Sequence, residues 1–332
     1  MKKLLLASAV AVLSITAVHA APTVYGKAFL TLDVQDGNDA AKEGDGVETR
    51  TQLNSNTSRI GFKGSEKLTK EIDLLYQLEY GIDIDAKTNY DDEGNAKNQF
   101  YARDTYLGLS HKRFGTAVAG RLTTIDDYVN YANVTKGGVI GGDNVLASFD
   151  GPRANNAFAY FSPTFNGLQF MAMYALDEKK DGGLGDGRDG FGVGVKYEPN
   201  GAPYMGGLSY IQAAGDFRAA RLSGAYALNP QITLGALYQN TQFGKDSKKE
   251  NAFTVSGKYK IAQTPWTTYA QADFVDNFDG TDAERSRLAV GGEYSFNKAT
   301  TGHLYGAYLQ DKATGFATEK AYGVGAGLEY KF

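Results

Sequence analysis

The last eleven residues, Tyr322-Gly-Val-Gly-Ala-Gly-Leu-Glu-Tyr-Lys-Phe332, alternate with period two. Tyr322, Val324, Ala326, Leu328, Tyr330 and Phe332 fall on one face, and Gly323, Gly325, Gly327, Glu329 and Lys331 on the other. Such a segment is a β-strand with one apolar and one wet face. It stops on an aromatic, where a lipid-facing strand meets the aromatic girdle of a membrane, so it reads as the closing strand of a membrane barrel.

The same alternation runs through the chain. In 71–83, Ile72, Leu74, Tyr76, Leu78, Tyr80 and Ile82 oppose Glu71, Asp73, Gln77, Glu79 and Asp83. In 23–35, Val24, Ala28, Leu30, Leu32 and Val34 oppose Tyr25, Lys27, Phe29, Thr31, Asp33 and Gln35. A face carrying that many charges needs water, and strands this long would overfill a soluble barrel whose apolar face pointed inward. Similar segments recur through 321–332 and number roughly sixteen, an even count of a size that encloses an aqueous channel. The fold class predicted is therefore all-β: a 16-stranded antiparallel transmembrane β-barrel.

Connections alternate in length. Tight turns fall at 66–70, 112–115, 162–167, 229–230 and 297–298, while 36–50, 85–98, 176–189, 244–250 and 276–285 are longer and acid-rich. Short turns at one end and long loops at the other are the periplasmic and extracellular ends of an outer-membrane barrel. The longest interruption, 122–152, carries Tyr128, Tyr131, Val139, Ile140, Leu146 and Phe149, which argue that it packs as a working loop.

The amino terminus fits export. Met1-Lys2-Lys3 is a basic start, Leu4 to Val18 is almost wholly apolar, and Val18-His-Ala20 precedes a cleavage site, so residues 1–20 read as a signal peptide and 21–332 as the barrel. Loss of Lys2 and Lys3 takes the formal charge from −4 to −6, which leaves no basic surface for nucleic acid. There is no cysteine, hence no disulfide and no thiolate chemistry. No cofactor or metal is expected. The segment Asp181-Gly-Gly-Leu-Gly-Asp-Gly-Arg-Asp189 is one residue short of a calcium-binding repeat and occurs once, so it reads as a loop tip. An enzyme would need a histidine beside a nucleophile or acid, and after residue 20 only His111 and His303 remain, neither in such a motif.

Several segments together resemble the Gram-negative general porins. They are Tyr25-Gly-Lys27, Ser58-Arg-Ile-Gly-Phe-Lys-Gly64, Arg103-Asp-Thr-Tyr-Leu-Gly-Leu109, Phe114-Gly-Thr with Gly120-Arg121, Tyr160-Phe-Ser-Pro-Thr-Phe-Asn-Gly167 and the terminal Phe332. The resemblance implies a homotrimer in the bacterial outer membrane, in contact with lipid and lipopolysaccharide, whose loop 122–152 folds into the lumen. It implies passive diffusion of small hydrophilic solutes and ions; a substrate-specific channel is the alternative, and a surface receptor role for the long loops a more distant one. Carried over by motif, a basic ladder comprises Lys27, Arg59, Arg103 and Arg153, with Arg121 at the foot of the loop. Where relatives often carry a loop glutamate this chain has Val139, within Gly137-Gly-Val-Ile-Gly-Gly-Asp143. Asp126, Asp127, Asp143 and Asp150 are the remaining acids, and Asp127 and Asp143 are expected to face the ladder. At ~10 Å through water a unit-charge pair is worth ~0.4 kcal/mol, so the predicted selectivity is a bias and not a filter. Asp104 and Asn156, polar at outward positions, suggest a subunit contact.

Overall fold

The computed structural model describes residues 21–44, 46–85, 89–90, 96–97, 99–138, 140, 142–176 and 189–332. The signal peptide 1–20, Val139 and all of the 181–189 motif except Asp189 lie outside the described residues.

The chain runs β1 (Thr23–Gly37), a short helix α1 (Asp39–Glu43), β2 (Arg50–Ser55), β3 (Arg59–Lys67), β4 (Ile72–Ile82) and a small hairpin β5 (Asn89–Tyr90) and β6 (Ala96–Lys97). It continues with β7 (Phe100–His111), β8 (Gly115–Thr123), β9 (Arg153–Phe161), β10 (Leu168–Ala175), β11 (Gly190–Tyr197), β12 (Tyr204–Ala213) and β13 (Phe217–Ala227). The last six are β14 (Ile232–Gln242), β15 (Lys249–Lys260), β16 (Trp266–Phe278), β17 (Ala283–Ser295), β18 (Thr300–Ala313) and β19 (Glu319–Lys331). Each wall strand pairs antiparallel with its sequence neighbour, and β19 closes on β1 from Lys27 opposite Lys331 to Gly37 opposite Ala321. β2 and β3 both pair with β1 and form one wall strand broken at 56–58, so the wall is a closed barrel of 16 strands. Closure leaves no edge whose backbone groups would be stranded in lipid.

The alternation behaves as read. Leu32, Val34, Leu222, Val255, Leu288, Val290 and Leu328 are exposed on the outside, while Phe29, Thr31, Asp33, Gln239, Thr254 and Gln271 are buried on the inside. Two aromatic belts bound the apolar band: Tyr174, Phe191, Tyr238, Phe253, Phe274 and Tyr322 above, and Tyr197, Tyr204, Tyr226, Tyr259, Trp266 and Tyr330 below. From Tyr322 to Tyr330 a strand climbs ~27 Å, or about 21 Å along the normal at a ~40° tilt, close to the ~25 Å band of such barrels.

The boundaries of four strands differ from the sequence reading. β2 begins at Arg50, the last residue of the stretch read as loop 36–50, and runs through 51–55, which the sequence reading left without a strand, while β15, β16 and β17 extend into the stretches read as loops 244–250 and 276–285. The ends of β15, β16 and β17 rise above the lipid, where outward side chains no longer need to be apolar and the alternation loses contrast, whereas β2 stands beside the middle of β1 with polar Thr51 and Ser55 flanking Leu53 on its outward face. Asp104 does not follow simple alternation either. A register shift between Leu78 and Tyr80 places Arg103 and Asp104 together opposite Glu79, and the Asp104 carboxylate accepts from Thr123 and pairs with Arg153 inside the same chain. Asn156 is exposed and has a left-handed backbone (φ 51°) beside the bulge in the β8–β9 pairing.

Candidate functional site: the lumenal constriction

After Thr123 the chain leaves the wall and fills part of the lumen. A single 3-10 turn, Asp127–Val129, carries Ile125 and Val129 into a cluster with Val118, Leu122, Ala157, Ala159, Met171 and Met173. Missing side chains make the room. A Cβ on Gly194 of β11 would lie 2.7 Å from Ile125 Cγ2, and one on Gly235 of β14 would lie 2.8 Å from the Tyr131 carbonyl. Further on, Gly137 has positive φ (90°) and sits against the Tyr305 ring, whose hydroxyl donates to Asp33 Oδ1 at 2.5 Å.

The loop is then bolted to the lumenal side of β13–β17. Arg221 donates to Gln239 Oε1 (2.7 Å), to the Asp126 carbonyl (3.1 Å) and to Asp150 Oδ1 (2.7 Å). Gln239 donates to the Phe149 carbonyl (2.6 Å). Glu250 accepts from the Ser148 backbone N–H (3.1 Å) and from the Ser148 hydroxyl. Gln271 accepts from the Val134 N–H (2.9 Å) and donates to the Asn144 carbonyl (3.1 Å). Arg287 pairs with Asp273 (2.8 Å) and donates to the Asn144 carbonyl (2.6 Å). Loop backbone that has left the wall thereby finds the partners that buried polar groups require.

Opposite this latch the lumen stays open, and charged side chains face it. Lys27 is the register partner of both Lys331 and Arg59, so three cations stand in one row across β19, β1 and β3. Lys27 Nζ donates to Thr57 Oγ1 at 2.5 Å. Glu79 lies between Arg59 (3.5 Å) and Arg103 (2.7 Å) and accepts from the Tyr25 hydroxyl (3.0 Å). Lys331 pairs with Glu329 at 2.6 Å. The loop adds Asp143, paired with Lys136 at 3.3 Å, to the same hollow as Lys27, Arg59 and Arg103. Glu293, Thr301, His303 and Glu329 complete its wall.

The structure therefore brings Lys27, Arg59, Arg103 and Asp143 together. Arg153 stands apart on Asp104 (2.6 Å). Arg121 donates to the Ala102 carbonyl and to Asn155 Oδ1; by register it shares the side of Ala117 and Ala119, the partners of outward Leu109 and Leu107. Asp127 sits with Asp126, Asp150 and Arg221 at the start of the loop. It keeps one face open to solvent, yet the protein crowded around it, followed by the charges of Asp150 and Asp126, pushes its carboxyl up to about 6. Asp150 is raised as well by burial, against the pull of Arg221.

Sequence reasoning did not single out Glu79, Lys136, Lys331, or the latch residues Arg221, Gln239, Glu250, Gln271 and Arg287. The signal for Arg221 and Arg287 was present: each is a cation at a wet-face position in a strand, on a wall where the resemblance supplied no ladder. Glu79 was legible as lumenal, but its pairing with Arg103 follows from the β4–β7 register shift, and that with Arg59 from the β3–β4 register. His111 accepts from the backbone N–H groups of Arg113 and Phe114, a turn role.

A family model describing Gram-negative porins matches residues 7–315. The major outer membrane protein P.IB of Neisseria sicca is 25% identical over 372 residues, covering 100% of both chains. Among solved structures, the anion-selective porin from Comamonas acidovorans superposes with a TM-score of 0.73 at 24% identity, covering 94% of this chain and 99% of that one. The trimer form of OmpT, an outer membrane protein of Vibrio cholerae, gives 0.66 at 17% identity, covering 94% and 100%.

Proposed function

The chain belongs to the Gram-negative porin family and is an outer-membrane channel for passive diffusion, and we propose that its selectivity is set by the hollow between the β19–β1–β3–β7 wall and the inward loop. Lys27, Arg59 and Arg103 act as its cationic side and Asp143 as part of its acidic side, with Arg121, Arg153 and Asp127 influencing ions from outside that waist. The observation that carries this reading is the charge balance. Lys27, Arg59, Arg103, Lys136 and Lys331 are set against Glu79, Asp143, Glu293 and Glu329, an excess of one positive charge. One charge at ~10 Å through water is worth ~0.4 kcal/mol, about a twofold preference for anions, reduced by salt.

So small a bias supports a general pore for small hydrophilic solutes over a substrate-specific channel. Among the described residues His111 is spent on a turn and His303, 3.9 Å from Glu329, makes no hydrogen bond, which supports a channel over an enzyme. The homotrimer expected from the resemblance is supported by the trimeric relative, with the outward apolar groove of β7–β10 as the face offered to a second copy. Single-channel recording in a planar bilayer under a salt gradient tests all of this. Closure in thirds and a small anion-directed reversal potential are expected, and Arg59→Ala and Arg103→Ala should each move that potential towards cations. An unchanged potential in both variants refutes the ladder.

A further inference from the structure

Leu304 is 59% exposed on the lipid side of β18, so alternation turns its neighbour His303 inward, where it is 6% exposed. Buried polar side chains ordinarily carry hydrogen bonds, yet among the described residues neither Nδ1 nor Nε2 of His303 has a partner. The charge balance of the waist omits this imidazole, although it lines the same hollow.

Every element around it presents a charge. On β17, Glu293 is its register partner. On β19, Gly327 stands opposite, and two residues further on Glu329 faces Lys331 with Oε1 at 2.6 Å and the imidazole with Oε2, 3.9 Å from Nε2. On β1, the Phe29 ring lies 4.7 Å from the imidazole and also carries Lys27, whose Nζ is 5.4 Å from its centre. The loop contributes Lys136 and Asp143, paired with each other, and β3 and β7 contribute Arg59 and Arg103 to the same hollow. On β18 itself the next inward titratable group is Tyr305, whose hydroxyl is spent on Asp33.

We propose that His303 determines selectivity as a proton-dependent cation of this hollow: neutral in alkaline medium, charged in acid, it raises anion preference as it takes up a proton from lumenal water. The inference rests on the hollow as the element that sets selectivity. A charged N–H at Nε2 has its acceptor in place, since closing the gap to Glu329 Oε2 from 3.9 Å to the ~2.8 Å of a charge-assisted bond takes about 1 Å of movement. Lys331 keeps Oε1 throughout, and the Phe29 face favours a cation beside it. No existing pair is broken, so the added charge is net, and the excess over the hollow rises from one positive charge to two. One further charge at ~10 Å through water multiplies the anion-to-cation ratio by about two.

Reversal potentials under a potassium chloride gradient, in bilayers of neutral phosphatidylcholine at pH 8 and pH 5, test it across the range in which an imidazole changes charge. Asp127 changes charge over part of that range, so the comparison is made in Asp127→Asn. That variant should still show an about twofold rise in the anion-to-cation permeability ratio from pH 8 to pH 5, and D127N/H303Q should show none. D127N/H303K, with a fixed charge, should give at both pH values the ratio that Asp127→Asn reaches only at pH 5, a result that a merely structural histidine would not produce. An equal pH step in Asp127→Asn and D127N/H303Q overturns the proposal. If the glutamine variant does not fold, a pH step that persists in D127N/H303K overturns it instead. Arg59→Ala in the same bilayers tells the two failures apart: a shifted potential there, with the pH step indifferent to His303, removes the histidine alone, and no shift in either removes the hollow as well.

Discussion

Arg221→Ala should release the constriction loop while leaving the barrel intact. The Arg221 side chain is 1% exposed and pairs with Asp126 at 3.4 Å and Asp150 at 2.7 Å, both carboxylates themselves mostly buried. It also satisfies the Asp126 carbonyl and Gln239. Removing one partner of a buried ion pair costs about 3–5 kcal/mol, because the other charge stays behind without compensation. Burial already raises the Asp150 carboxyl above its usual range, so without Arg221 it takes up a proton more readily, which limits the loss towards ~3 kcal/mol as pH falls. The remaining contacts on Ser148, Val134 and Asn144 hold the far half of the loop, so the near half around 124–132 opens first. A loss of ~3 kcal/mol multiplies the population of the opened loop by about a hundredfold. Limited proteolysis of the folded barrel within 124–152, together with open-channel current noise, reads this directly. Arg221→Lys, which keeps the charge but loses the donors that reach the Asp126 and Phe149 carbonyls and Gln239, should fall between. If Arg221→Ala shows wild-type cleavage rates and wild-type noise, the latch is not what holds the loop.

Further outcomes follow from the same contacts. Glu79→Gln leaves Arg59 and Arg103 without their shared carboxylate, so the reversal potential should move towards anions by about a twofold permeability ratio; a shift towards cations refutes the assignment of Glu79 to the waist. Asp127, with its carboxyl at about 6, is charged at pH 7 and neutral at pH 5, so acidification should strengthen anion preference, and Asp127→Asn should show that preference already at pH 7. The stability sign is the same: a carboxyl raised in the folded state favours its protonated form, so folding gains as pH falls through 6 and the gain levels off near 4. A pH-independent difference between wild type and Asp127→Asn would remove Asp127 from the site. Gly194→Val places a side chain within 2.7 Å of Ile125 and should displace the loop's apolar foot, read as raised cleavage in 124–152; unchanged cleavage would refute that seat.

Strand alternation carried most of the fold because lipid and lumen water impose opposite demands on adjacent residues, and that contrast is written into Leu32 against Asp33 as clearly as into Leu328 against Glu329. It fails where only one demand remains. Arg50-Thr-Gln-Leu-Asn-Ser55 is a strand whose outward positions, Thr51, Leu53 and Ser55, stand opposite Val34, Leu32 and Leu30, and only Leu53 is left to mark the lipid side. It fails again at bulges: one register shift near Glu79 brings Arg103 and Asp104 onto a common patch that period two would divide.

The site was legible by face and not by neighbour. Lys27 could be placed in the lumen from its strand alone, but its row with Lys331 exists only because β19 closes on β1, a pairing between residues at opposite ends of the chain. The same holds for the loop. Its Tyr131, Val134, Asn144 and Asp150 meet Ser223, Gln271, Arg287 and Arg221 from strands nearly a hundred or more residues away in sequence in most cases. The division of labour between the two arginine groups then has a physical reason. Arg221 and Arg287 are 1% exposed and spend their donors on loop carbonyls and carboxylates, so they add little to the field in the pore. Arg59, at 30% exposed, keeps a face towards water. Charge that is buried and fully hydrogen-bonded fixes the shape of the waist, and charge left facing water acts on the ions that pass through it.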